Sequence, residues 1–89
     1  MKITTTIDDK TITAEFQKSE DCGYSKGSLL IDLPSGGHMS VYKHGRTWIA
    51  ALVIDGIGRS HSEYSTRAEA LTSAAEEYAS DFLFLESVN

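Results

Sequence analysis

Apolar and polar residues alternate with a period of two through most of the first sixty positions, and the period then lengthens to that of a helix. In KITTTI, Ile3, Thr5 and Ile7 share one face, and Asp8-Asp9-Lys10 supplies a turn. TITAEFQ puts Ile12, Ala14 and Phe16 on one side and Thr13, Glu15 and Gln17 on the other, the signature of a half-buried strand. Residues 18–27 carry serine, aspartate and two glycines and read as a flexible loop. SLLIDL resumes the alternation with Leu29, Ile31 and Leu33 inward. Pro34-Ser35-Gly36-Gly37 interrupts it, and HMSVYK follows as a hairpin partner.

His44-Gly45 marks the next turn and leads into TWIAALVI, where both faces are apolar. Trp48, Ala50, Leu52 and Ile54 line one face, and Ile49, Ala51 and Val53 the other. Such a strand fits the middle of a sheet covered on both sides. Asp55-Gly56 is a two-residue hairpin signal, because both central positions of a type I′ turn need positive φ. The returning IGRSHSEY is polar and suits an edge, with Gly58 marking a bulge.

The period changes at Thr66, which together with Glu69 forms a capping-box pattern at a helix start, each side chain able to satisfy an orphan amide. Leu71, Ala74, Ala75, Tyr78 and Phe82 then recur as one apolar stripe, rich in the alanine that permits close approach to a sheet. Glu69, Ser73, Glu76, Glu77 and Ser80 take the opposite side, with Asp81 one turn after Glu77. These patterns predict one α+β domain spanning 1–89, with an antiparallel sheet of about five to six strands and one C-terminal helix packed on it.

Charge sharpens this picture. Residues 1–59 hold seven acids (Asp8, Asp9, Glu15, Glu20, Asp21, Asp32, Asp55) and seven bases (Lys2, Lys10, Lys18, Lys26, Lys43, Arg46, Arg59). Residues 60–89 hold six acids (Glu63, Glu69, Glu76, Glu77, Asp81, Glu86) against Arg67 alone. The net −5 is therefore 7 − 7 in the first part and 1 − 6 in the second. After Arg67 no base is available as an i,i+4 partner, and Glu76, Glu77 and Asp81 lie where the helix dipole disfavours negative charge. Each placement costs only a few tenths of a kcal/mol, so a merely solvated face is one explanation and a used one is the other. The tail FLFLESVN adds Phe84 and Leu85, which either finish the core or form an apolar anchor for a partner or for self-association into a homodimer. Glu69, Glu76, Glu77, Asp81, Phe84 and Leu85 are the candidate partner-binding residues, and a one-signed surface selects a basic protein partner.

Candidate chemistry is sparse. Cys22 is the lone cysteine, so no internal disulfide forms, and its neighbours Glu20 and Asp21 disfavour a thiolate. His38, His44 and His61 are too scattered for a zinc motif, and no serine sits in a nucleophile elbow. Gly56-Ile57-Gly58 sits at a hairpin and opens no helix, so it reads as a turn rather than a phosphate cradle. Lys43, His44, Arg46, Trp48, Arg59 and His61 make the best candidate basic-aromatic patch, but the acidic helix opposes direct nucleic-acid binding. Neither an enzyme nor a cofactor is expected. The start MKITTTIDDK lacks the apolar core of a signal peptide and no run is long enough to span a bilayer, so a cytoplasmic location is expected.

In size, acidity, strand-rich first sixty residues and the helix YSTRAEALTSAAEEYASDF, the chain resembles the phage and mobile-element anti-CRISPR proteins. That resemblance implies binding to a CRISPR effector complex or nuclease in the host cytoplasm, over the basic path meant for nucleic acid. Separately, TWIAALVIDGIGRSHSEYSTRAEALTSAAEE is similar to the strand–strand–helix segment of HicB-like antitoxins, which implies neutralisation of a small basic toxin. The Pro-Asp-Leu-Pro-Gly stretch of that group is missing between the strands, LPSGG coming earlier. A phage structural or assembly protein is the remaining alternative.

Overall fold

A computed structural model describes residues 1–19 and 27–88. Cys22 and nearly all of the loop expected between 18 and 27 lie outside the described residues. The architecture is α+β: a five-stranded antiparallel sheet, a two-stranded hairpin, and one C-terminal helix packed against strands of both.

The hairpin joins β1 (Lys2–Ile7) to β2 (Lys10–Glu15) through Asp8 and Asp9. Both turn residues have positive φ, 49° and 65°, a conformation that aspartate tolerates better than most side chains. β3 (Gln17–Lys18), β4 (Leu29–Asp32), β5 (His38–His44), β6 (Thr47–Ile54) and β7 (Ile57–Tyr64) pair in chain order to form the larger sheet. Lys18, expected at the start of a loop, is instead a sheet residue opposite Leu29, and the Ser19 amide bonds the Ser28 carbonyl at 3.0 Å.

The stretch 10–18, of which 11–17 alternates as a single strand, is divided between two partners. Its first part pairs with β1 and its last two residues with β4. Phe16 stands at the division, its amide donating to the Met1 carbonyl at 2.7 Å and its carbonyl accepting from the Met1 amino group at 3.0 Å. Its ring is buried in the core with Ala14, Leu29, Ile31, Leu33 and Val41. The inward alternation of β2 and β4 is therefore as expected, and one continuous core runs beneath both sheets.

Turn chemistry sets the remaining register. Asp55 (φ 54°) and Gly56 (φ 76°) form the tight β6–β7 turn, with Ile54 opposite Ile57. The register then slips between Leu52 and Val53, so Gly58 faces Val53, Ser60 faces Leu52 and Arg59 is the extra residue of a bulge. Gly37 (φ +77°) closes the β4–β5 turn, where the Leu33 amide bonds the Gly37 carbonyl at 3.0 Å. A β-carbon at Gly37 would lie 2.5 Å from the Val53 carbonyl oxygen. Gly37→Ala therefore lowers stability by about 2 kcal/mol or more, combining backbone strain with a clash, and a thermal or urea melt reads the loss directly.

The helix, α1, runs Arg67–Ser87 from an N-cap at Thr66 (φ −129°, ψ 155°). The Glu69 amide donates to Thr66 Oγ1 at 3.2 Å, and the Thr66 hydroxyl donates to Glu69 Oε1 at 2.9 Å. The expected reciprocal box is thus half realised, since the Glu69 carboxylate takes the hydroxyl proton rather than an orphan amide. Ala70, Ala74, Ala75 and Ala79 are all fully buried, and with no side chain beyond Cβ they bring the helix backbone close to the sheet. Leu71 is buried, while Tyr78 and Phe82 are half-buried with ring centroids 6.3 Å apart.

The helix covers the face of β6 that carries Ala50, with Trp48 and Leu52 packed against the core. The expectation of cover on both faces is corrected for the described residues. Ile49 and Ala51 are buried on the opposite face, yet β6 packs mainly on β5, β7 and α1, so no described element forms a second layer there. As expected, β7 lies at an edge of the sheet, exposed from Ile57 to Glu63. No helix among the described residues is long and apolar enough to cross a membrane.

Candidate partner-binding surface

The helix is longer than its stripe of core residues suggests. FLFLES continues it to Ser87, so the tail is a further turn and a half of helix rather than an appendage. At about 100° per residue this settles which way each apolar tail residue points. Leu85 lies near the direction of Tyr78 and Phe82 and is half-buried, so it finishes the packed side. Phe84 falls eight residues after Glu76 and seven after Glu77, on the solvent side, and is 62% exposed. Val88, one turn further, is 61% exposed. The exposed apolar pair is therefore Phe84 with Val88, not Phe84 with Leu85.

Glu69, Glu76 and Glu77 all point to solvent on this same side. Among the described residues none of the three has an ion pair, and only Glu69 is tied, to its own cap. They border an open groove of about 700 Å³ that Tyr64, Ser73 and Ser80 also line. The Tyr64 hydroxyl donates to Ser73 Oγ at 2.7 Å, fixing the end of β7 to the second turn of the helix. The ridge thus sits on a helix anchored both by its alanine seam and by a side-chain tie.

Asp81 does a different job. Its carboxylate accepts from the Ser35 amide at 2.9 Å and from the Ser35 hydroxyl at 2.6 Å, bracing the β4–β5 turn against the helix. Its charge is spent within the fold, which separates it from the free glutamates. Asp81→Ala removes both acceptors and costs about 1–2 kcal/mol, seen as a lower melting temperature, while the charge of the ridge is untouched. Serine at 35 with an acid a helix away gives no periodic signal, so this tie was not legible in the chain.

Arg46 borders a depression that Glu63 and Glu69 also line, at the N-terminal end of the ridge, and no base among the described residues lines the groove beside Glu76 and Glu77. Arg67 turns toward the packed side, its Nε donating to the Gly27 carbonyl at 3.1 Å and its guanidinium 5.9 Å from the Trp48 ring centroid. The basic-aromatic patch assembles only in part, with Lys43 opposite Trp48 and with His44 and Arg46 at the same end of the β5–β6 pair. Trp48 packs against the core beneath Arg67, and Arg46 lies in the β5–β6 turn. His61 faces Ala51, roughly 10 Å along β6 from Trp48 at about 3.3 Å per strand residue, and Arg59 stands beside Leu52 and Val53, roughly 15 Å from Trp48. Arg59, His38 and His61 instead border a separate cavity of about 510 Å³. No group of three or more histidine, cysteine or acidic side chains able to hold a metal occurs among the described residues.

The assembled surface is a rigid, one-signed helical ridge ending in an apolar tip. It offers hydrogen-bond acceptors and charge to a basic surface, and a short-range contact about 10 Å further along the axis (seven residues at ~1.5 Å each). Compared with known proteins, the chain matches no protein family, no curated protein and no solved structure.

Proposed function

We propose that this chain is a non-enzymatic protein-binding inhibitor of the anti-CRISPR kind, occupying a basic nucleic-acid-binding surface on a CRISPR effector. One observation carries the reading: Glu69, Glu76, Glu77 and the exposed Phe84 share one face of a helix on which no base intervenes. Glu69 and Glu76 are about 10 Å apart along the axis, at ~1.5 Å per residue, so the ridge spans a stretch comparable with a few phosphates of a nucleic-acid strand. Such a row accelerates encounter with a basic groove, and Phe84 with Val88 supplies the desolvated contact that slows release.

The β6–β7–α1 succession also supports a second reading, a HicB-like antitoxin whose helix covers a small basic ribonuclease. The partner distinguishes the two. Purified guide-loaded CRISPR effectors and small basic ribonucleases are titrated with the protein at 50 and 300 mM salt. Salt-sensitive loss of target-DNA binding by an effector supports the first reading, and loss of RNA cleavage alone supports the second. If both activities persist at saturating protein, the ridge has no inhibitory role and neither reading stands.

A further inference from the structure

The strand at the open edge of the sheet, β7, carries a short segment whose charges are complementary about its centre. Reading outward from His61, the neighbours are Ser60 and Ser62, then Arg59 and Glu63. The strand ends the order β3-β4-β5-β6-β7, and among the described residues nothing pairs with its outer edge. In an antiparallel ladder alternate residues point their amide and carbonyl away from the inner neighbour, so this edge presents unmade backbone hydrogen bonds.

We propose that two copies of this chain associate through β7, antiparallel and centred on His61, to join their two five-stranded sheets into one. In that register Arg59 faces Glu63 of the second copy, Glu63 faces its Arg59, and the serines face each other. Opposite charges and hydroxyl pairs directly across a ladder are the favourable cross-strand combinations. Centring one residue earlier would set Arg59 against the second copy's His61, and one residue later would leave Arg59 facing Ser65. Registers offset by a half step would turn unlike faces together. Charged side chains on an edge ordinarily repel a foreign strand; here their order repels other partners and other registers while matching a copy of itself.

The bulge at Arg59 falls at the end of this ladder, leaves Ser60 to Tyr64 in regular register and keeps Arg59 beside the same cavity as His61. Ser60 and Ser62 are exposed and small on the side where the helix lies. The two helices would lie on the same face, above β5 and β6 of each copy, roughly 19 Å apart at ~4.8 Å per strand. That exceeds the screening length of about 8 Å at physiological salt, so their acids do not prevent association. The short ladder falls at the small end of interface sizes, below roughly 1,200 Å², which makes this a transient dimer populated at high micromolar concentration. Its consequence is two acidic ridges displayed on one side of a single body.

Sedimentation equilibrium of the full chain from 10 to 500 µM tests the proposal. Wild-type protein is expected to reach dimer within that range, and Arg59→Glu or Glu63→Arg alone to weaken dimerisation about tenfold, since each creates two like-charge contacts. An equimolar mixture of the two single variants restores dimer, because the heterodimer regains an opposite-charge contact at both positions. That recovery also shows each variant to be folded. Wild type that stays monomeric at 500 µM overturns the proposal, as does a mixture no more associated than its components. A dimer lost on Phe84→Ser but indifferent to Arg59→Glu places self-association on the helix tip and overturns it equally.

Discussion

On the proposed inhibitor reading, the variant Glu76→Lys/Glu77→Lys is expected to lose about 100-fold in affinity for a basic partner at 100 mM salt and to keep its fold. The double change shifts the ridge by four charge units and sets lysines against a basic surface, where like-charge juxtaposition costs several kcal/mol. Both carboxylates are exposed and neither holds a partner within the protein, so no internal interaction is broken. The stability effect runs the other way. Positions 76 and 77 lie at the middle of the 21-residue helix, where the dipole contributes little, and the second lysine would stand one turn before Asp81, so the melting temperature holds or rises slightly. A fall in binding without a fall in stability is the signature of a used surface. The affinity of wild type for the same partner also drops as salt rises, and that of the variant does not follow the same slope. Fluorescence titration with a thermal melt on the same samples reads both quantities. Unchanged affinity in the double variant would reduce the ridge to a solvated face.

Phe16→Ala destabilises the domain by about 3–5 kcal/mol, the range for emptying a buried phenylalanine site. The ring is 2% exposed and belongs to the core cluster that joins the hairpin, the larger sheet and the helix. Main-chain bonds to Met1 survive the substitution, so the loss is one of packing and of the cavity left behind. Small domains carry a total stability of roughly 5–15 kcal/mol, which makes this one side chain a large share. For a chain of this size each kcal/mol moves the midpoint by about 4–8 °C, so a fall of about 12 °C or more is expected in a thermal melt. Phe84→Ala is the matched control: an exposed aromatic whose removal leaves the midpoint within a degree or two. A Phe16 cost below about 1 kcal/mol would contradict the position given to this ring.

Both predictions use residues that looked alike at first. Phe16 and Phe84 are each an aromatic near polar neighbours, and Glu77 and Asp81 are acids one turn apart. Alternation placed Phe16 inward because Ile12 and Ala14 before it share its face. Phe84 was legible as surplus apolar area, but its direction depended on the helix continuing through FLFLES, which the stripe ending at Phe82 did not announce. Asp81 looked like part of the acidic row until the β4–β5 turn supplied Ser35, 46 residues earlier, as its donor.

What the chain determined by itself is local: the two-residue Asp55-Gly56 turn, the Thr66 cap, the inward sets Ile12-Ala14-Phe16 and Leu29-Ile31-Leu33, a bulge beside Gly58 and the asymmetry of charge. Each depends on φ/ψ preference or on side-chain periodicity within a few residues, and such preferences act before any distant contact forms. Only the tertiary structure decided that residues 10–18 serve two sheets, that Arg67 stacks on Trp48 instead of pairing with an acid, and that Lys43, His44 and Arg46 fall toward the opposite end of the sheet from Arg59. Those outcomes follow from which distant segments share one core. Burying apolar area is indifferent to sequence separation, so it brings together groups whose neighbours along the chain carry no trace of the meeting.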